Sequence, residues 1–158
     1  MTNIFSDSTL LLLILLPALS AVVLWAIPAE KKNWIRWFAI LISVVVLILS
    51  IGVFTGFDSE AGGIQFQSSY SWLDMPGTWG TGRGAFTLSL GVDGIAALMV
   101  LLTGIVMFTG TIVSWSIETD NKDFFVLYFL LLSGVFGVFV SFDLFFFFFF
   151  YELSVLPM

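Results

Sequence analysis

The sequence contains no cysteine and no histidine, and only 10% of its 158 residues are charged. Without cysteine, disulfides and thiolate metal sites are excluded. Without histidine, the commonest general base and the commonest metal ligand are missing. A soluble domain typically carries about 25% charged residues because its surface must face water. The surface of this chain must therefore meet lipid or other apolar protein.

Hydrophobic residues take the place of the missing charges. They make up 59% of the chain, and the mean hydropathy is +1.11. Eleven acidic residues outnumber five basic ones, which gives a net charge of -6. Nucleic-acid binding needs a basic patch, so this balance argues against it.

Four long apolar runs and a fifth run interrupted by Glu152 predict the fold, since about 20 apolar residues cross a hydrocarbon core of roughly 30 Å and the first four runs qualify. Backbone groups inside lipid must bond within their own segment, so these runs are expected to be helices. The sequence predicts an all-α multi-spanning membrane protein with four complete transmembrane helices and most of a fifth. The apolar run at the chain end has no polar flank, so residues 1–158 are expected to be the N-terminal part of one membrane domain. The expected helices are Leu10–Ile27, Trp37–Phe57, Gly94–Ile117, Phe124–Phe142 and Leu144–Met158.

The first apolar run also resembles a signal peptide, because Ala18-Leu19-Ser20 has the small residues of a cleavage site. No basic residue precedes that run, however, and it continues through Ile27, which favours a retained helix. The basic residues Lys31, Lys32 and Arg36 follow it and predict a cytoplasmic Pro28–Arg36 loop. The N-terminus and the long loop over residues 58–93 are then expected outside.

The outer loop contains two segments with alternating apolar residues, Ile64–Trp72 and Phe86–Val92. A period of two is typical of strands. Proline and glycines lie between the two segments, so we predict a short β-hairpin on the outer membrane face. The alternative is an irregular aromatic loop that Trp72 and Trp79 anchor at the membrane interface.

Glu152 is the first candidate for chemistry. It lies nine residues after Asp143, which at about 1.5 Å per residue places it roughly 13 Å into the membrane. Ionisable groups at such a depth are costly and commonly mark ion or proton pathways. The alternative is a structural glutamate that forms hydrogen bonds between helices.

Three further residues are expected to have structural roles. Asp93 and Asp143 each immediately precede an apolar run, where an aspartate can accept hydrogen bonds from the first free N–H groups of a helix. Pro157 lies five residues after Glu152. It is either an ordinary membrane-helix proline or a kink that frees the carbonyl of Leu153 and admits water.

Two other patterns concern packing. Phe145–Phe150 is a run of six phenylalanines that wraps more than one helical turn, so it is expected to be packing or lipid-facing bulk. Small residues recur at a spacing of four, which allows helices to approach closely. These residues are Ser133, Gly137 and Ser141 in the fourth run, and Gly52 and Gly56 in the second.

Three motifs together resemble a known family. They are Leu90-Gly91-Val92-Asp93-Gly94-Ile95, Ser141-Phe142-Asp143-Leu144, and the ending Tyr151-Glu152-Leu153-Ser154-Val155-Leu156-Pro157-Met158. In this order they are similar to the antiporter-like proton-translocating subunits of respiratory complex I, an NADH:quinone oxidoreductase. The ending is most similar to the subunit M, or chain 4, type. One difference concerns Ala96 and Ala97, which follow Gly94-Ile95 in this chain. Many members of the family have serine there.

The resemblance implies the N-terminal part of a fold of about fourteen helices. It implies a non-redox subunit that couples quinone reduction elsewhere in the complex to proton pumping. Glu152 would be the catalytic proton-transfer residue, and its partner lysine would lie on a later helix. No cofactor or metal is expected on this chain. NADH, FMN, iron–sulfur clusters and quinone would be bound by partner subunits.

The resemblance further implies the L and N types of antiporter-like subunit as partners, in the inner membrane of a bacterium. Two other functions remain possible on the sequence. One is a subunit of an Mrp-type cation/proton antiporter, which shares the glutamate but not usually the Pro157-Met158 ending. The other is a membrane scaffold that has no ion path.

Overall fold

The computed structural model describes residues 8–28, 30–75, 84–117 and 120–158. It contains five α-helices and two strands in these ranges. The elements are α1 (Thr9–Ala26), α2 (Lys32–Gly56), β1 (Gln65–Met75), β2 (Gly84–Val92), α3 (Gly94–Val113), α4 (Asn121–Val140) and α5 (Leu144–Val155). A single 3-10 turn, Ser114–Ser116, extends α3.

Four of the helices are long and apolar enough to cross a membrane, namely α1, α2, α3 with its 3-10 turn, and α4. The shorter α5 is equally apolar but has 12 residues. The predicted all-α, multi-spanning fold with four long apolar helices is therefore confirmed, and a shorter fifth helix follows them. The chain is a multi-pass membrane protein.

Helix α2 begins earlier than the apolar pattern predicts, at Lys32 rather than Trp37. The basic segment predicted as a loop is thus largely the first turns of a helix. Lysine and arginine favour helices, and their long side chains can reach the membrane surface from within a helix. Helix α4 likewise begins at Asn121, ahead of the predicted Phe124, and ends at Val140 rather than Phe142.

The α-helices form a bundle in which α4 is central. It packs against α1 on one side and against α5 on another, while α2 pairs with α3. Three phenylalanines of α4 are fully buried, Phe125, Phe129 and Phe136. In the buried Ser133, Oγ donates a hydrogen bond to the Ile14 carbonyl of α1 at 2.7 Å.

The predicted β-hairpin is also confirmed. Strands β1 and β2 pair antiparallel, from Gln65 opposite Val92 to Met75 opposite Gly84. The predicted turn region and Trp79 lie outside the described residues. We call the end of the bundle that carries this sheet the hairpin end, and the opposite end, with Lys31 and Arg36, the basic end.

A bulge near the start of β1 fits the hairpin to the helices. Phe66 adopts a left-handed backbone conformation there, with φ of 55°, and the pairing register shifts between Gln65 and Ser68. A Cβ on Gly56 would lie 3.2 Å from the Phe66 ring, so glycine at the end of α2 makes room for that ring. Bulges commonly redirect a side chain in this way.

The hairpin also contacts the turn between α4 and α5. The Phe142 N–H donates to the Ser89 carbonyl at 2.9 Å, and Leu90 and Ser141 form an isolated antiparallel bridge. Leu90 and Val92 of β2 are buried. The start of α5 is therefore held by the sheet as well as by α4.

Candidate functional site

Helix α5 begins at a capping aspartate. The Asp143 Oδ1 accepts hydrogen bonds from the Phe145 N–H at 2.8 Å and the Phe146 N–H at 3.3 Å. An N-cap of this kind satisfies two of the four free N–H groups of a helix start. Asp143 thereby fixes where α5 starts and the depth at which its later residues lie.

Asp93 has the same position at the start of α3. Its Oδ1 accepts from the Ala96 N–H at 2.7 Å. Asp120 precedes α4 in a comparable position but forms no side-chain cap hydrogen bond. Two of these three aspartates are therefore capping residues at the hairpin end.

One side of α5, which we call its inner face, packs on α4. It consists of Phe146, Phe150 and Ser154. Phe146 and Phe150 are buried. A Cβ on Gly137 would collide with the Phe150 ring, and one on Gly134 would lie 2.7 Å from the Ser154 nitrogen and 2.9 Å from the Phe150 carbonyl oxygen. These two glycines let the helices approach closely, as small residues do in membranes.

The small-residue spacing predicted this contact only in part. Gly137 does contact α5, but Ser133 points to α1 and Ser141 lies beyond the end of α4. Gly134, which the spacing omits, makes the closest backbone approach. Its signal in the sequence is its position three residues before Gly137, one helical turn away on the same side.

Glu152 lies on the opposite side of α5, which we call its open face. This face also carries Phe148 and Phe149, which are 59% and 54% exposed. Glu152 itself is exposed, and the described residues offer its carboxylate no hydrogen bond or ion pair. The side chain is thus directed away from α4 and, as the chain stands, is not enclosed by the bundle.

Glu152 is unusual in its position along a helix. Every other Asp, Glu, Lys or Arg in the five helices lies within the first five residues of its helix, whereas Glu152 is the ninth of the 12 residues of α5. Asp143 is the nearest acidic residue in the sequence and lies at the helix start. Among the described helices, Glu152 is therefore the one Asp, Glu, Lys or Arg that lies about two turns from the start of its helix.

Pro157 follows the end of α5. The helix ends at Val155, and Pro157 lies two residues beyond it. The Glu152 carbonyl accepts the Leu156 N–H at 3.0 Å, and the Met158 N–H donates to the Val155 carbonyl at 3.1 Å. These two bonds flank Leu153, and whether Pro157 is an ordinary membrane-helix proline or a kink stays a prediction.

A polar cluster at the basic end was not predicted from the sequence. One guanidinium nitrogen of Arg36 donates to the Ile117 carbonyl at 2.9 Å, and the guanidinium lies 5.6 Å from the Trp115 ring centroid. The Asn121 side chain donates to the same carbonyl at 2.9 Å. The cluster joins the start of α2 to the turn between α3 and α4. Its only sequence signal is that Arg36 and Trp115 both fall at predicted helix ends.

In the part of the chain that the structure describes, no group of three or more Asp and Glu side chains converges. What the geometry offers is a single carboxylate about two turns into an apolar helix, on a face that the bundle leaves open. Such a group can exchange a proton or pair with a cation supplied from elsewhere. It cannot by itself form a complete path across the membrane.

Comparisons with known proteins were made on the sequence and on the fold. The chain matches no protein-family profile. It is 34% identical over 148 residues to NAD(P)H-quinone oxidoreductase chain 4 3 of Picosynechococcus sp., a match that covers 92% of this chain and 25% of the relative. It is 32% identical over 158 residues to NADH-quinone oxidoreductase subunit M of Rhodobacter capsulatus, covering 100% of this chain and 29% of the relative.

A chloroplast relative gives the same result. NAD(P)H-quinone oxidoreductase chain 4 of Chlorokybus atmophyticus is 33% identical over 150 residues, covering 94% of this chain and 28% of the relative. The chain therefore spans about a quarter of the length of the curated relatives that it matches.

The fold is also found in a solved structure. A chain of the membrane-bound sulfane sulfur reductase, an archaeal respiratory membrane complex, superposes with a TM-score of 0.76. The sequence identity is 23%, and the match covers 96% of this chain and 29% of the other. At that identity the likeness concerns the fold alone.

Proposed function

Matched along almost its whole length by chain 4 and subunit M proteins, this chain belongs to their family, and from this premise we propose that it is a proton-translocating membrane-arm subunit. The complex would be an NADH:quinone oxidoreductase, and the subunit would couple quinone reduction on other subunits to proton movement. Its neighbours would be antiporter-like subunits of the L and N types. NADH, FMN, iron–sulfur clusters and quinone would be bound by those other parts of the complex.

The position of Glu152 is the observation that carries this proposal. A charged side chain at such depth costs at least a few kcal/mol when it faces lipid. The open face of α5 therefore needs a protein cover if Glu152 is to be charged at all. The relatives are about four times as long as this chain, so the family has further segments available for that cover.

In the proposed mechanism, Glu152 alternates between a charged and a protonated form. A positive charge brought close to the carboxylate favours the charged form, and withdrawal of that charge favours proton uptake. The family resemblance supplies the lysine on a later helix. The described lysines Lys31, Lys32 and Lys122 lie at the basic end, away from Glu152. Each charge moved across the membrane works against about 2.3 kcal/mol per 100 mV, so the rest of the complex must drive the switch.

The test is Glu152→Gln in the assembled complex. Glutamine keeps the shape and hydrogen bonding of the side chain but cannot titrate, so assembly should be normal while proton pumping falls sharply. Glu152→Asp keeps the carboxylate on a shorter stem and should be milder. Proton uptake by vesicles energised with NADH, normalised to assembled complex, measures the effect.

Glu60→Gln is the matched control. Glu60 is an exposed acid in the segment between α2 and β1, and its loss should leave pumping unchanged. Full pumping by Glu152→Gln would overturn the proton-transfer role and leave Glu152 as a structural residue in a membrane scaffold. If the complex transports sodium ions but not protons, a cation antiporter is favoured instead.

The proposal includes an orientation in the bacterial inner membrane. The basic end, with Lys31, Lys32 and Arg36, should face the cytoplasm, which leaves the N-terminus and the hairpin outside. The chain has no cysteine, so single cysteines can be introduced at Asn33 and Glu60. An impermeant thiol reagent applied from outside should label Glu60→Cys and spare Asn33→Cys. The reverse pattern would invert the orientation.

A further inference from the structure

Two buried side-chain atoms of the polar cluster at the basic end have no hydrogen-bond partner among the described residues. One is Nε of Arg36, which is a donor, and the other is Oδ1 of Asn121, which is an acceptor. Asn121 is only 3% exposed, so bulk water does not reach its amide. Buried polar groups in native proteins are nearly always satisfied, and ordered water is a common partner for those that protein atoms leave free.

Both unpaired atoms belong to planar groups that bind the same carbonyl. The Ile117 oxygen accepts one hydrogen bond from Arg36 Nη2 at 2.9 Å and another from Asn121 Nδ2 at 2.9 Å. Within the rigid guanidinium, Nε–H and Nη2 share one edge, and within the amide, Oδ1 and Nδ2 share the outer end. A single small group between the two side chains can therefore close a ring of hydrogen bonds with that carbonyl.

The same carbonyl decides the chemistry of that group. A carbonyl oxygen only accepts hydrogen bonds, so the NH2 of the Asn121 amide faces it and Oδ1 points elsewhere. The bound group must then accept from Arg36 Nε–H and donate to Asn121 Oδ1. A metal ion cannot accept a hydrogen bond, and a halide or carboxylate has no proton for Oδ1, whereas water does both.

Aromatic side chains shield the guanidinium on one side. The Trp115 ring centroid lies 5.6 Å from the Arg36 guanidinium, and Trp37 packs edge-on against Trp115 with 5.6 Å between the ring centroids. Arg36 as a whole is half-buried, but its Nε is fully covered. A small molecule bound beside Nε is therefore enclosed by protein rather than open to the surroundings.

We infer that one ordered water molecule is bound here, where it accepts a hydrogen bond from Arg36 Nε and donates one to Asn121 Oδ1. The ring of hydrogen bonds then runs from the Ile117 carbonyl through the guanidinium, the water and the amide, and returns to the same carbonyl. It joins the start of α2, the turn after α3 and the start of α4 at one point. The site lies at the basic end and is separate from Glu152 on α5.

An electron-density or cryo-EM map that resolves ordered water tests the site directly. In the full-length protein within its complex, density for one water should lie about 3 Å from both Arg36 Nε and Asn121 Oδ1. Three results would overturn the proposal. They are a direct contact between Nε and Oδ1, a side chain of residue 118 or 119 in the water position, and no density there in a map that shows other buried waters.

Two conservative variants distinguish a bound water from a merely structural cluster. Arg36→Lys keeps a positive charge and a donor for the Ile117 carbonyl but has no Nε–H, so the water density should disappear. Asn121→Gln extends the amide by one methylene, so its oxygen should replace the water and accept from Nε directly. Since a water-mediated bond is nearly as good as a direct one, the equilibrium constant for unfolding should change less than about threefold in Asn121→Gln. Water density that persists in either variant would contradict the assignment.

Asn121→Leu keeps the approximate volume of the side chain but removes its amide. It should raise the equilibrium constant for unfolding about tenfold, because buried groups are left without partners. Asn33→Leu makes the same change at an exposed position at the start of α2 and should alter that constant less than about threefold. Reversible unfolding of the full-length protein in mixed micelles measures both. Equal constants in the two variants would contradict a buried ring of hydrogen bonds.

Discussion

The two faces of α5 use the same residue type in opposite ways. Phe146 and Phe150 on the inner face are 9% and 6% exposed, whereas Phe148 and Phe149 on the open face are 59% and 54% exposed. Phenylalanine alone does not decide which side packs. Gly134 and Gly137 on α4 decide it, because they leave room for the Phe150 ring and for the backbone at Phe150 and Ser154.

Gly134→Ala should have the largest effect, because it closes the gap between α4 and α5. The new Cβ would meet backbone atoms at 2.7 and 2.9 Å, and backbone cannot move aside as a flexible side chain can. Overpacking of this kind costs about 3 kcal/mol. Reversible unfolding in mixed micelles measures the loss, and a cysteine pair across α4 and α5 should cross-link less efficiently.

Gly94→Ala is the matched control for that change. A Cβ there would lie 3.7 Å from the Phe57 ring, an ordinary contact. Alanine also favours a helix over glycine, so stability should be unchanged or slightly higher. Equal losses in the two variants would remove the argument that close approach to α5 is what requires glycine at position 134.

Phe150→Ala and Phe148→Ala compare the two faces directly. Loss of the buried Phe150 ring leaves a cavity against α4 and should cost about 2 kcal/mol, since cavities cost about 24 cal/mol per Å³. Phe148 projects from the open face, so Phe148→Ala should lower the free energy of unfolding of the isolated chain by less than about 0.5 kcal/mol. The same unfolding measurement applies.

The comparison changes in the assembled complex. There, protein packed over the open face should bury Phe148, so Phe148→Ala should lower stability as well. If Phe148→Ala remained neutral in the full complex, the open face would be lipid-facing, and the proposed cover over Glu152 would be contradicted.

Asp143→Ala should have an intermediate effect, because it removes the cap that both faces of α5 share. Loss of an N-cap hydrogen bond costs about 1 kcal/mol. Asparagine caps almost as well as aspartate, so Asp143→Asn should restore most of the stability. If Asp143→Asn lost as much stability as Asp143→Ala, the charge rather than the hydrogen bond would be what matters at this position.

Ser133→Ala should have the smallest effect and concerns the side of α4 that faces α1. Its hydrogen bond to the Ile14 carbonyl is an interhelical bond inside a membrane protein, and such bonds average about 0.6 kcal/mol. Ser43→Ala is the control, since Ser43 is buried but bonds within its own helix, to the Ile40 carbonyl. If Ser43→Ala lowered the free energy of unfolding more than Ser133→Ala did, the stabilising role of the hydrogen bond between Ser133 and Ile14 would be contradicted.

Apolar run length predicted the number and order of the helices, because the bilayer imposes that length on any spanning segment. Alternation predicted the hairpin for a similar reason, since a strand has a fixed period of two. Helix starts were missed at Lys32 and Asn121, because polar residues can begin a helix before the apolar run does.

The sequence singled out Glu152 as a candidate residue but predicted nothing about the surface around it. The depth of Glu152 follows from its distance along the sequence after Asp143. Its direction depends on which side of α5 meets α4, and six identical phenylalanines contain no information about that. The Arg36–Ile117 contact spans 81 residues and joins a side chain to a backbone carbonyl, so no residue pattern predicts it.

The packing of α1 on α4 has a consequence for biosynthesis. More than a hundred residues separate the end of α1 at Ala26 from the end of α4 at Val140. At translation rates of about 5–20 residues per second, that interval is on the order of ten seconds. Helix α1 therefore enters the bilayer well before α4 is synthesised, and during that time lipid or the insertion machinery must solvate the side of α1 that α4 will later cover.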